Sequence, residues 1–255
     1  MLQALESAAF SAWPAQRSVD VQGWLLRLDR GYTKRANSAN ATAHSRALTT
    51  HDVEFIEARF RESGLVPTFR LTSFAPIDDS DRLLDLRGYR FCDASLVMTR
   101  ALAGVAHADE PVFASDAAAW LDAFGHASGK RGNDQAVHLE ILRRIAEPCA
   151  WAVHSEVAPS RACGLGVLID DKLGLFDIAT RPGHQRRGLA RQLCEGLLAW
   201  GARSGAQSAF LQVVAKNTPA IRLYEQLKAQ HAAKAMTSMN RSVSATHMRF
   251  QKAPP

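Results

Sequence analysis

From Gly183 to Arg191 the chain reads Gly-His-Gln-Arg-Arg-Gly-Leu-Ala-Arg, the stretch whose residue types and spacing are best suited to chemistry. It lies between a strand-like run ending at Thr180 and a long amphipathic segment. Its backbone N–H groups are therefore the unpaired donors of a helix's first turn. The aligned peptide dipoles add partial positive charge there, Gly188 removes the side chain that would hold a ligand away, and Ala190 is too small to interfere. Such a turn is an anion cradle, and the ligand expected is a phosphate or diphosphate. Arg181 to Arg191 holds four arginines and no acid, so Arg186, Arg187 or Arg191 can reach outer phosphate oxygens. Two other phosphate loops fail. Gly183 and Gly188 have Walker A spacing, but Leu189-Ala190 stand where the lysine and hydroxyl belong. Gly164-Leu165-Gly166 opens a dinucleotide fingerprint, but Ile169 takes the third glycine position in a strand context.

The elements that must position this turn follow from periodicity. Strand-like runs at Cys149–His154, Arg161–Ile169 and Leu173–Thr180 precede it, the last two joined by the short acidic Asp170–Lys172 connection that predicts a hairpin. A helix is expected over Gly188–Ser204, with Leu189, Leu193, Leu197 and Trp200 on one face. A strand at Ala209–Ala215 and a helix from Asn217 to Leu227 follow, the helix opened by Asn217-Thr218-Pro219, which offers an N-cap and a first-turn proline. Before all these, helices are expected at Ser115–Phe124 and Asp134–Ile145.

The first half alternates a helical opening, an apolar run Gly23–Leu28, a polar loop Gly31–Ala41, a helix around Val53–Glu62, a strand Thr68–Thr72, a helix Ser80–Leu86 and a strand Ala94–Thr99. Residues 103–115 read as a linker, which gives domains 1–102 and 116–255 in an α/β (α+β) chain. The 255 residues, 47% hydrophobic, suffice for a sizeable core. With no apolar run of membrane length and no leader-like pattern, a soluble cytoplasmic protein is expected. The four cysteines and nine histidines are dispersed without ligand spacing, so no metal is expected. The net charge of +6 is concentrated in residues 106–255, with 18 basic against 13 acidic residues.

Gln185-x-x-Gly188-x-Ala190 followed by Asn217-x-x-Ala220-x-x-Leu223-Tyr224 resembles the acetyl-CoA loop and the succeeding helix of the GNAT N-acetyltransferase superfamily. The two motifs stand in the family's order, separated by the expected helix and strand, and the resemblance covers about residues 113–227. It implies a mixed, mostly antiparallel central sheet flanked by helices and an enzyme that moves an acetyl group from acetyl-CoA to a primary amine of a small molecule or peptide. It also implies that the amides of Arg186, Arg187, Gly188, Leu189, Ala190 and Arg191 bind the CoA pyrophosphate, with Gln185 in the same loop. Ile178, Ala179 and Thr180 would pair with the pantetheine arm as an added strand. Asn217 would contact that arm, and Tyr224 would stand near the sulfur as the acid. Asp177 is the candidate for the proton-accepting side, with His154 and Glu156 as weaker ones.

The first half resembles the same family in degraded form. Phe69–Thr72 and Leu83–Tyr89 are similar to the family's fifth strand and the end of the helix after it, but no phosphate loop precedes them. This is the pattern of a tandem pair with a silent N-terminal copy, in which Trp24, Tyr32, Lys34, Arg35 and Asn37 are the residues to inspect for an acceptor pocket. The tail departs from the family: after Leu227 the stretch to Ser244 is small and polar, and only Thr246–Gln251 reads as a strand. A non-catalytic acyl-CoA-binding module is the alternative reading; binding to nucleic acid or membrane is not expected.

Overall fold

The computed structural model describes residues 2–73, 75, 78–105, 111–130, 132, 134–155 and 159–240. The first part runs α1 (Leu2–Ala12), β1 (Arg17–Val21), β2 (Trp24–Leu28), a 3-10 turn (Lys34–Ala36), β3 (Ser38–Asn40), α2 (Thr50–Glu62), β4 (Thr68–Thr72), α3 (Asp78–Leu86) and β5 (Tyr89–Ala101). The second runs β6 (Val112–Phe113), α4 (Ala117–Ser128), α5 (Asp134–Arg143), β7 (Cys149–Val153), β8 (Ala162–Ile169), β9 (Lys172–Thr180), α6 (Leu189–Arg203), β10 (Ser208–Val214), α7 (Thr218–Gln226) and β11 (Gln230–Asn240). Among the described residues, eleven strands join one sheet in the order β1-β2-β3-β4-β11-β5-β10-β9-β8-β7-β6. Among the described residues, β3·β4 and β9·β10 are parallel and the other pairs are antiparallel, as the expected mixed sheet requires.

The order of the strands carries information that their sequence does not. In the first half the parallel pair β3·β4 is followed by β11, from the far end of the chain. In the second half the parallel pair β9·β10 is followed by β5, from the first half. Each parallel pair is thus bordered by a strand of the other half, and β5 and β11 pair with each other at the centre. This corrects the expectation for the tail, where the small, polar run after Leu227 is an eleven-residue strand. A strand paired along both edges satisfies its backbone N–H and C=O groups through its neighbours, which needs no strong apolar alternation. Thr246–Gln251 lies outside the described residues. Two further corrections concern loops: Gly31–Ala41 contains the 3-10 turn and the buried β3, and Val112–Phe113 in the expected linker pairs with β7 as an edge strand.

The second half packs helices on both faces of the sheet. Along β8, Cys163, Leu165, Val167 and Ile169 face a core shared with α1, α4 and α5, while Ala162 faces the other core, where α6 and α7 supply Leu193, Leu197, Leu198 and Tyr224. This is the period-two alternation of a sheet buried on both sides. Helix α6 lies close on its strands: a Cβ at Gly201 would meet Leu173 Cδ2 at 2.7 Å.

Helix α1 is fixed by charge. Arg70 makes a two-pronged bond to Glu6 at 2.7 and 2.9 Å, both side chains buried. The buried Arg27 guanidinium donates to the carbonyls of Phe10 and Trp13, satisfying orphan acceptors at the end of α1, and to the carbonyl of Arg35 in the 3-10 turn. Burial lowers the Arg27 pKa to about 10, so it remains a cation at neutral pH. These bonds place Trp13, fully buried, against the second half's core.

Candidate active site

The turn before α6 is uncapped by side chains. Gly188 occupies the N-cap position in the left-handed region (φ 82°), accepts the helical bond from Gln192 N at 3.0 Å, and has no atom within 4 Å of where a Cβ would project. A side-chain cap would fill the space at the helix end, and a non-glycine residue would be strained there. Arg186 and Arg187 are exposed. Arg191 is engaged with Glu195 at 2.8 Å, one turn along α6, so it is less free than its neighbours. Gln185 directs its amide toward the Thr180 carbonyl at 3.5 Å, tying the turn to the end of β9.

Strand β9 is paired differently on its two sides. With β10 it pairs only from Lys172 to Leu175, opposite Ser208 to Leu211. With β8 the pairing continues to Thr180, but the register jumps between Leu165↔Phe176 and Cys163↔Ala179. Asp177 and Ile178 therefore bulge opposite Gly164, and Asp177 takes a left-handed φ of 47°. The bulge bends β9 away from β10. Ile178, Ala179 and Thr180 then border a gap on the β10 side, open to an extended chain bearing amides.

The bulge also re-aims Asp177. Its Oδ2 lies 3.0 Å from His138 Nε2, at ion-pair distance but out of line for a hydrogen bond. His138 Nδ1 lies 3.0 Å from the Tyr32 hydroxyl, and the two rings stack at 4.6 Å. Burial works against the Asp177 carboxylate, but His138 and the charges of Arg35 and Lys130 outweigh it and hold its pKa below the usual range. Tyr32 is shifted upward, by burial first and by Asp177 second. Around the imidazole stand Phe124, Trp13 and Trp120 at 5.2, 5.5 and 6.1 Å between centroids. The Arg35 guanidinium sits 4.7 Å from the Trp13 ring and 5.5 Å from that of Phe176. Trp13 Nε1, Thr33 Oγ1 and Arg35 Nη1 are buried without hydrogen-bond partners. Unpaired buried polar groups cost roughly 1–3 kcal/mol each.

Sequence reading missed His138. The available signal was a histidine on the apolar face of α5, one turn from the buried Ile141 and Leu142; only the fold shows that this face meets β9 and the loop after β2. Of the other first-half residues, Tyr32 and Arg35 arrive here, whereas Lys34 pairs with Asp93, Asn37 accepts from Asp29 and Gly31 N–H, and Trp24 donates to the Arg46 carbonyl. His154 Nδ1 is buried without a partner, and Glu156 lies outside the described residues.

Tyr224 is on the opposite face, 8% exposed among α6 and β10 side chains, and lines a small apolar cavity with Leu175, Leu198 and Leu211. Burial raises its pKa, so the phenol keeps its proton through the neutral range. Asn217 caps α7, its Oδ1 accepting from Ala220 N at 3.3 Å, and Pro219 sits in the first turn. Burial likewise pushes the Cys194 thiol up to about 12, which leaves it inert.

A family model described as probable histone acetyltransferase Rv0428c C-terminal matches residues 1–236. The chain is 26% identical over 234 residues to the uncharacterized N-acetyltransferase YobR of Bacillus subtilis, covering 89% of this chain and 93% of that protein. It is 44% identical over 57 residues to the ribosomal protein bS18-alanine N-acetyltransferase of Escherichia coli, covering 22% of this chain and 38% of that protein. Among solved structures, a GCN5-related N-acetyltransferase from Kribbella flavida superposes with a TM-score of 0.64 at 15% identity, covering 93% of this chain and 95% of that one. Among the described residues, no helix is long and apolar enough to cross a membrane.

Proposed function

The chain belongs to the family of the probable histone acetyltransferase Rv0428c C-terminal and has the GNAT N-acetyltransferase fold, and on that premise we propose that it moves an acetyl group from acetyl-CoA to a primary amine of a small molecule or peptide by direct transfer. The observation that carries this is the parting of β9 and β10 beside an uncapped helix N-terminus. A pantetheine arm with a diphosphate at its end matches both features: the amides of Arg186 to Arg191 suit the diphosphate, and Ile178 to Thr180 suit the arm's amides, with Gln185 and Asn217 flanking. Acetyl-CoA, when bound, supplies the thioester. Tyr224 on the α6–α7 face donates to the leaving sulfur, and Asp177 on the α1–α4–α5 face holds a negative charge on the amine's side.

The first half reads as a degenerate copy over residues 1–102, joined through 103–115 to a catalytic half, 116–255. Support comes from the repeated order of parallel pair and bordering strand and from the helices between the paired strands. Helix α2 lies between β3 and β4 as α6 lies between β9 and β10. At the start of α2, Thr49 and Asp52 form a capping box, so an acid and a hydroxyl fill the place a phosphate would need. That explains a silent first copy. Within that acceptor class, a peptide amine is favoured by the family description and by the relative named for a ribosomal protein's alanine.

Calorimetric titration with acetyl-CoA, followed by thiol release over a panel of alanine-initiated and lysine-containing peptides and small amines, tests the reading. Binding with turnover is expected, and Tyr224→Phe should lower kcat while leaving the dissociation constant in place. Absence of acetyl-CoA binding refutes the assignment; binding without turnover across the panel favours an acyl-CoA-binding module.

A further inference from the structure

The residues around His138 extend the reading above, on which this inference rests, to the fate of the amine's proton. Three groups from three elements meet there: Tyr32 from the loop after β2, His138 from α5 and Asp177 from the β9 bulge. The imidazole is 1% exposed and held by aromatic rings on several sides, while Tyr32 is only half-buried. Tyr32 is thus where the chain of groups meets a substrate or solvent.

We propose that Tyr32, His138 and Asp177 form a relay that takes the proton from the acceptor ammonium and stores it on the imidazole. The N–H bond of the ammonium breaks as a bond forms to Tyr32 Oη, while the Tyr32 O–H bond breaks and its proton bonds to His138 Nδ1. The products are a neutral amine, a neutral phenol and an imidazolium beside an ionised Asp177. The proton leaves by the reverse shift to water after turnover, so no oxidant or co-reactant is needed.

The arrangement divides the work. An Asp177 carboxylate held ionised is a poor proton acceptor but a good partner for an imidazolium; with its Oδ2 3.0 Å from Nε2, its charge favours the proton on that nitrogen, which leaves Nδ1, 3.0 Å from the Tyr32 hydroxyl, to accept. A phenol whose proton is held tightly does not form a free phenolate, so the two shifts through Tyr32 are concerted. Imidazole is the side chain suited to take and release a proton near neutrality. Histidine at position 138 accordingly accepts the charge, Asp177 positions it, and Tyr32 touches the amine. The other charged and titratable groups bearing on the relay are Arg35, Lys130, Asp134 and Cys163.

Nitrogen-15 NMR of the histidine-labelled full chain, with His138 assigned through His138→Gln, reads the tautomer. The relay requires N–H on Nε2 in the resting protein, a shifted Nδ1 resonance in Tyr32→Phe, which keeps the ring and its stack, and a change of tautomer in Asp177→Asn. Kinetics use acetyl-CoA and the most rapidly acetylated peptide of the panel. Tyr32→Phe and His138→Gln should each lower kcat by about 100-fold or more, leave the acetyl-CoA dissociation constant unchanged, and abolish the rise of kcat on the acid side of the pH profile. N–H on Nδ1 in the wild type overturns the relay, as does an unchanged kcat in Tyr32→Phe; in the latter case acetyl transfer itself stands. Failure of the wild type to bind acetyl-CoA overturns the functional reading and the relay with it.

Discussion

Replacing Gly188 isolates the backbone cradle from its surroundings. The residue sits at φ 82° with open space where a Cβ would point, so Gly188→Ala adds no clash and changes only the backbone cost and the volume of the turn. A non-glycine residue in the left-handed region costs about 1–2 kcal/mol, which lowers Tm by a few degrees in a chain of this size. Gly188→Glu adds a carboxylate at the place where a diphosphate would lie. If it removes one charge-assisted N–H bond, worth about 1.5–3 kcal/mol, affinity for acetyl-CoA falls roughly 10- to 150-fold. Gly183→Ala is the control, because Gly183 also has φ 82° and open space but lies five residues before the helix N-cap. Calorimetric dissociation constants and melting temperatures for all three variants decide the matter. Similar Tm losses for both alanine variants, with weakened binding only at 188, are expected. Unchanged affinity in Gly188→Glu, or equal weakening in Gly183→Ala, refutes the assignment of the diphosphate to this turn.

Other outcomes follow from the packing. Glu6→Ala leaves Arg70 buried and unpaired and should cost about 3–5 kcal/mol in chemical denaturation, a loss too large for a surface ion pair. Ending the chain at Ala229 removes β11 from between β4 and β5, so the protein should lose its cooperative transition altogether; two clean transitions in calorimetry would instead mean that the halves fold independently. Asp177 has a folded-state pKa below its unfolded value, so its contribution to stability is full above the ordinary carboxylate pKa of about 3.9 and is lost as pH falls through the folded value. The Tm difference between wild type and Asp177→Asn should therefore shrink on going from pH 7 to pH 3, and a constant difference would contradict the held charge.

How much was legible before the fold depended on the range of the interactions involved. The helix opened by Asn217, the strands flanking the Asp170 turn and the glycine turn before α6 are local: periodicity, caps and φ-permissive residues specify them within a few positions, and each lies near where the spacing places it. Thr68–Thr72 agrees to the residue for the same reason. The bulge at Asp177 carries no such signal, because a register jump is a property of two strands and one of them must be in place before the other can slip. His138 lies on an apolar helical face with no local feature to single it out among the nine histidines; its partner Tyr32 is 106 residues away.

What the sequence alone determined, then, is the donor-rich turn and the elements on either side of it, since hydrogen-bond caps and side-chain periodicity act between neighbours in the chain. What only the tertiary structure decided is that β5 and β11 cross between the halves and that Tyr32, His138 and Asp177 converge. Burying one continuous sheet and filling the space beside its bulge are accomplished by side chains that meet only after the chain has closed on itself.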